Sequence, residues 1–361
     1  MVLADDRLGA DAAYRLARQG TGLLWRGDYA NATEATTELL ETEPAAAASV
    51  LAQCKMAQGD FSAAVAALNA GLEKAPEGAG LFALLAQIAF ERGDYDEAAS
   101  KATAALEKNQ DQLLARWIRA ELHRVHGRHE AAGTEYRWFV RYFNQHDIKD
   151  PDDLRIICLG AAQYARWNKL SDQFGQLVNQ LLPQCLKLDS SYWPAHYESA
   201  LLFLEKYNES DAANEINAGL KINPYAAELH VLQGKLALER FEFSAAQDAA
   251  ARALELNPRL LSAHWLKADS LLLSGDFEAT AAELQQATQL NPRDLQTLGR
   301  LAAAFGLRDG QEQPVPDSQL GKIVTTVREQ NPQPGEFYQQ LAESFDRCRL
   351  EPWPRHGHKR S

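Results

Sequence analysis

The sequence predicts an all-α solenoid, a stack of helix pairs whose core is drawn out as a ribbon. Three observations predict it. Residues 193–226, 227–260 and 261–294 are consecutive copies of one 34-residue unit, with no insertion between them. Each copy closes on the same dipeptide: Asn223-Pro224, Asn257-Pro258 and Asn291-Pro292. Small residues recur inside each copy. They are Ala200, Gly234 and Ala268 at the eighth place, Ala212, Ala246 and Thr280 at the twentieth, and Gly219, Ala253 and Ala287 at the twenty-seventh.

The pattern has a physical reason. In 261–294, Leu266, Leu271 and Leu272 mark a first helix, and Leu284, Ala287 and Leu290 a second. Gly275-Asp276 turns the chain between them. Small residues let two helix axes approach to the near end of the ~8–10 Å range. The Asn-Pro ends the unit, because Pro cannot continue a helix and pushes the residue before it out of helical geometry. One pair cannot bury its apolar face alone; stacked pairs can.

The first array spans 1–149 in four units. Their turns are Gly27-Asp28-Tyr29, Gly59-Asp60-Phe61, Gly93-Asp94-Tyr95 and Gly127-Arg128-His129. The first unit begins near Ala13 and closes at Pro44. The second is two residues short of the period, which predicts a tight loop near Glu43–Ala46. In the fourth, Tyr136 and Phe139 replace small residues, so looser packing is expected. A polar stretch, Asn144–Asp153, interrupts the run. The span 150–308 then holds an irregular fifth unit and the three regular ones. The fifth turns on Asn168-Lys169 and carries Pro183 inside its second helix, which predicts a bend. The remainder, 309–361, reads as a linker, two further helices from about Ser318 and Pro334, and a basic tail without helical period. That tail leaves a half-repeat open, as in a piece of a longer protein or one with an altered end.

The net charge of −12 opposes a general nucleic-acid binder, which needs a basic stripe. Cys54, Cys158, Cys185 and Cys348 have no metal or disulfide spacing and suit packing gaps. The N-terminus has no basic region followed by an apolar run, and no apolar stretch approaches the ~20 residues of a membrane span. A cytoplasmic location is therefore expected, with no membrane insertion. His129-Glu130 lacks the second His of HExxH, and GxSxG, GxxxxGK[ST] and GxGxxG are missing. The expectation is a protein that is not an enzyme, with no cofactor and no metal. His196, His230 and His264 share the fourth place of three units, too far apart for one metal, and read as half-buried packing rings. His123, His126 and His129 read as ordinary surface or packing residues.

The 34-residue period and the small places resemble the tetratricopeptide repeat. The resemblance implies a right-handed solenoid of about nine helix-pair units, one irregular, plus a terminal half-repeat. It also implies a scaffold for a protein or peptide partner. In such arrays fixed places of the first helices line a concave groove. Carried over, the fifth places are Ala17, Ser49, Ala83, Trp117, Tyr197, Val231 and Trp265. The ninth and twelfth add Leu201, Leu204, Lys235, Leu238, Asp269 and Leu272, and Trp25, Phe90, Glu121 and Arg124 line the first array. The implied groove for a peptide or helix rests on Trp117, Glu121, Arg124, Tyr197, Leu201, Val231, Lys235, Leu238, Trp265 and Asp269. The same rings, covered by neighbouring repeats, would be core instead. The lysine/asparagine clamp that some members use for a C-terminal carboxylate has no counterpart at Ala17, Thr21, Val50, Gly80 and Leu84, or at Tyr197, Leu201, Leu232, Ser262 and Leu266. Asp189–Asn208 is more weakly similar to the repeat region ahead of bacterial peptidase-MA-like domains. That similarity implies an alternative, a substrate-positioning portion of a metallopeptidase whose catalytic domain is absent from this chain.

Overall fold

The structure, a computed structural model, describes residues 19–37, 39–311 and 313–350. Ala17 and the basic tail from Glu351 lie outside these. The described residues form helices and turns, with no strand among them. Helix α1 occupies 19–25, followed by α2 (Tyr29–Thr37), α3 (Pro44–Ala57), α4 (Phe61–Lys74), α5 (Ala79–Glu91) and α6 (Tyr95–Lys108). Next come α7 (Leu113–Val125), α8 (His129–Gln145), α9 (Pro151–Trp167) and α10 (Ser171–Gln176). A π-helical turn, Leu177–Leu181, leads to α11 (Leu182–Leu188). The second array is α12 (Pro194–Glu205), α13 (Glu209–Ile222), α14 (Ala227–Glu239), α15 (Phe243–Leu256), α16 (Leu261–Leu273) and α17 (Phe277–Leu290). Helices α18 (Leu295–Asp309), α19 (Gln319–Gln330) and α20 (Gly335–Leu350) complete the solenoid.

The two residues of each inner turn have separate tasks. The first ends a helix in left-handed geometry: Gly27, Gly59, Gly93 and Gly127 have φ of 75, 75, 79 and 71°. At three of the turns the second caps the next helix. Asp60 accepts from the backbone N–H of Ala63, Asp276 from Ala279 and Asn208 from Asp211.

The arrays then meet edge to edge. Asn257 Nδ2 donates to the Met56 carbonyl at 3.3 Å, Asn291 Nδ2 to Phe90 at 3.5 Å and Asn331 Nδ2 to Val125 at 2.8 Å. These partners are 201, 201 and 206 residues apart. Each of these Asn Oδ1 atoms accepts the backbone N–H two residues on, from Arg259, Arg293 and Gln333, which fixes the amide. The amide lies directly over the turn glycine of the other array. A Cβ on Gly27, Gly59, Gly93 or Gly127 would stand 2.2, 2.6, 2.4 or 2.4 Å from Oδ1 of Asn223, Asn257, Asn291 or Asn331. Glycine is thus required twice at these turns, for its positive φ and for room. The neighbouring residues join in. The Arg259 guanidinium lies 4.8 Å from the Phe61 ring centre and that of Arg293 4.5 Å from Tyr95, whose hydroxyl donates to the Arg293 carbonyl.

Three of the turns after the first array carry no glycine. Lys169, Tyr207 and Phe241 take φ of 55, 56 and 60°. Tyr207 is 92% exposed and Phe241 61%, so nothing docks on these turns.

Packing differs from expectation in the middle of the chain. The fourth unit is tight, not loose. Tyr136 and Phe139 are fully buried, and Tyr136 donates to Glu121 at 2.5 Å. Gly160 of α9 makes the recess for Phe139, whose ring would stand 2.4 Å from a Cβ there. Small and large residues have exchanged helices. The tight loop near Glu43–Ala46 is instead the start of α3, with Pro44 in its first turn, where a missing N–H costs nothing. Around Pro183 the helix is relieved by the π turn just before it.

Gly93→Ala is expected to destabilise the fold by about 2 kcal/mol or more, because it adds left-handed strain to a clash with Asn291. Tyr207→Gly should have the opposite sign, raising stability by up to about 1 kcal/mol by relieving strain at an undocked turn. Urea titration of both variants checks the pair.

Candidate ligand-binding site on the inner wall

Docking of the arrays gathers the concave face around a central space. A cavity of about 470 Å³ lies at the centre, with lining from α1 through α20. Its walls are aromatic: Trp25, Phe90, Trp193, Tyr197 and Trp265 all keep part of their surface facing it. Six carboxylates face it, those of Glu91, Asp152, Glu198, Glu228, Asp294 and Glu336. Three guanidiniums join them, from Arg124, Arg155 and Arg259, and no described Lys or His lines it.

Two of the guanidiniums are held in networks. Arg155 donates to Asp152 at 3.0 Å and to Glu198 at 3.3 Å, and Tyr192 donates its hydroxyl to the same Asp152 oxygen at 2.6 Å. Arg124 pairs with Glu121 at 2.7 Å and with Glu336. Burial works against the Arg124 charge, but Glu121 and Glu336 more than offset it and hold it firmly cationic. The other carboxylates differ. Burial pushes Glu91 up to about 7, against a hydrogen bond from Gln87. Burial also raises Glu228 and raises Asp294, although Asp294 accepts from the Thr297 backbone and hydroxyl at 2.6 Å each.

The ten residues that the family pattern places in the groove separate into three groups. Arg124, Tyr197 and Trp265 reach the central cavity. Lys235, Leu238 and Asp269 line a second space of about 440 Å³ between the second array and α20. There Asp269 holds Arg300 at 3.0 Å, and burial pushes the Lys235 ammonium down to about 8, with Arg300 and Arg347 adding to the fall. The remaining four are packing residues. Trp117 lies on Tyr136 and Phe139, Val231 is buried between α14 and its neighbours, and Leu201 packs beside α13 and α14. Glu121 is buried as the acceptor of Tyr136 and Arg124. The ten omit five residues that reach the cavity: Glu91, Glu228, Arg259, Asp294 and Glu336. Glu228 and Glu91 hold the second and thirteenth places of their first helices, which the family pattern contains, while Arg259 and Asp294 stand just ahead of a first helix, where no fixed place points.

The histidines of the fourth place pack on second helices. His196 Nδ1 meets Glu215 at 2.7 Å, His264 Nδ1 meets Glu283 at 2.6 Å, and His230 Nε2 lies 3.0 Å from the Pro224 carbonyl. The described residues contain no cluster of three or more His, Cys, Asp or Glu placed to hold a metal ion. No described helix is long and apolar enough to cross a membrane.

The family model for the tetratricopeptide repeat matches residues 50–112, 83–138 and 231–294. No curated protein matches the sequence. Among solved structures, the APC/C hetero-tetramer Cut9–Hcn1 is similar in fold, with a TM-score of 0.50 and 16% identity. That match covers 80% of this chain and 55% of the other, so this chain spans about half of its length. Yeast Tom70 matches at TM-score 0.43 and 12% identity over 93% of this chain and 88% of its own. A tetratricopeptide repeat protein from Parabacteroides merdae ATCC 43184 matches at 0.36 and 14% over 87% and 98%. None of these matches supports the weaker peptidase-MA-like resemblance. The repeats matched lie in both arrays of a solenoid whose described residues are helical, and the chain carries tetratricopeptide repeats.

Proposed function

We propose that the protein is a non-enzymatic interaction scaffold that holds a segment of a protein partner against the inner wall of its closed superhelix. The observation that carries this reading is the central, aromatic-walled cavity. A space of about 470 Å³ falls in the range of built ligand sites, ~300–1,000 Å³. An α-helix ~10–12 Å across would fill it with little more than one turn. An extended segment, or a few side chains projecting from one, fits better. Tyr197 and Trp265 are rigid rings with a polar handle, the residue types that anchor interfaces. Trp265 is pre-oriented, donating to Thr297 at 2.7 Å beneath the Arg300 guanidinium.

Binding groups held ready inside an empty cavity weaken the empty protein. Glu91 shows this. Its folded carboxyl holds a proton up to about 7, against an ordinary value of 4.5. The fold therefore favours the protonated form, and the protein loses stability as pH rises through that window.

Glu91→Gln should match the parent in stability below about pH 4 and exceed it at pH 7.5 by on the order of 2 kcal/mol. Denaturation midpoints across pH check this, and a constant difference would remove Glu91 as the cause. A photo-crosslinking side chain at position 197 or 265 should capture protein partners in cells, and one at exposed Glu107 on the outer face should not. Equal capture from the outer position would overturn the inner-wall reading.

A further inference from the structure

We infer that the central cavity is a receptor for an organic cation, an ammonium or guanidinium group seated among Glu91, Glu228 and the aromatic wall beside them. The inference rests on the reading of the inner wall as the binding surface and names the chemistry of its ligand.

Charge balance is the first observation. Six carboxylates face three guanidiniums. Arg155 is committed to Asp152 and Glu198, and Arg124 to Glu121 and Glu336. Arg259 stands over the Phe61 ring and forms no ion pair with a described carboxylate. Glu228 lines the cavity, half-buried, and no described residue gives it a side-chain hydrogen bond or an ion pair. Glu91 accepts from the neutral amide of Gln87, at 2.8 Å, and the Arg259 charge reaches it without an ion pair. Glu91, Glu228, Tyr29 and Tyr197 all line this one chamber. Arg259 bears on Glu91 and Arg155 on Glu228 without pairing with either, so the two half-buried carboxylates repel each other with their charge only partly offset, and a bound cation relieves that.

The wall itself is the second observation. Aromatic faces attract cations through their ring quadrupole. This protein already seats guanidiniums on such faces around the chamber, with Arg259 on Phe61 and Arg300 on Trp265. Competing ligand classes fit worse. An anion would meet the acidic excess. An apolar ligand would leave Glu228 buried and unpaired. A metal ion would need a cluster of three or more ligating side chains, and the described residues hold none. The cation can come from a basic side chain of a partner segment or from a free polyamine.

Calorimetric titration of the full chain tests the inference with three probes. They are the linear triamine spermidine, a short extended peptide containing Lys and Arg, and the same peptide with Gln at those places. The basic peptide or the triamine should bind, and the Gln peptide at least tenfold more weakly. Glu228→Gln should reduce cation affinity tenfold or more without lowering the thermal midpoint. Comparable triamine and peptide affinities would assign a free polyamine, and peptide binding alone a basic partner segment. Equal affinity for the Gln peptide, or no binding of either cation, overturns the cation receptor. Inner-wall crosslinks that persist in that case leave the scaffold reading standing. Triamine binding without inner-wall crosslinks removes the scaffold reading and keeps the cation site.

Discussion

The amide of an asparagine seated on a glycine holds this molecule in its shape. It occurs four times, at Asn223 on Gly27, Asn257 on Gly59, Asn291 on Gly93 and Asn331 on Gly127. A solenoid is ordinarily a one-dimensional stack, each repeat touching only its neighbours, so that stability is a sum of local terms. The docks add contacts between repeats about 200 residues apart in sequence, at 201 for Asn257 with Met56. Opening the ring at one dock leaves the others holding it, so the docks form and break as a set. The central cavity exists only because that set is closed.

The same closure makes the interior an electrostatic compartment. In an open groove Glu91, Glu228 and Asp294 would be solvated carboxylates on a concave surface. Inside the ring they are half-buried, and burial raises each of them. Arg155 with Asp152 and Glu198 shows the contrasting case, a cation built in with its partners beside it. Both kinds of carboxylate line one chamber, and they differ in whether the chain itself supplies the counter-charge.

Local rules were legible in the sequence, and long-range ones were not. The 34-residue period, the Gly-Asp turns and the Asn-Pro closings lead directly to α3–α7 and α12–α18, because each reports a helix end or a close helix approach within one unit. Tyr136 and Phe139 misled because the compensating small residue, Gly160, lies on the next helix and outside the unit. The candidate site was legible in part, for a related reason. Place numbering within a repeat describes an open groove. It finds Arg124, Tyr197 and Trp265, whose helices face inward in any tetratricopeptide superhelix. It cannot find Arg259 or Asp294, which stand just ahead of first helices and come to the cavity through the meeting of two arrays. A signal was nonetheless present. Glycines at 27, 59, 93 and 127 and Asn-Pro pairs at 223, 257, 291 and 331 are two matched ladders. Either ladder alone reads as turn chemistry.

The bulky left-handed residues Tyr207 and Phe241 make the turns of the second array unlike those of the first. Gly27, Gly59, Gly93 and Gly127 present bare backbone, on which an amide can lie. Two turns of the second array present a phenol and a phenyl group instead, while Gly275 keeps the glycine there. An asparagine amide has no seat on either ring, so the unbroken row of glycines picks the edge on which an Asn-Pro row docks and the register in which it does so.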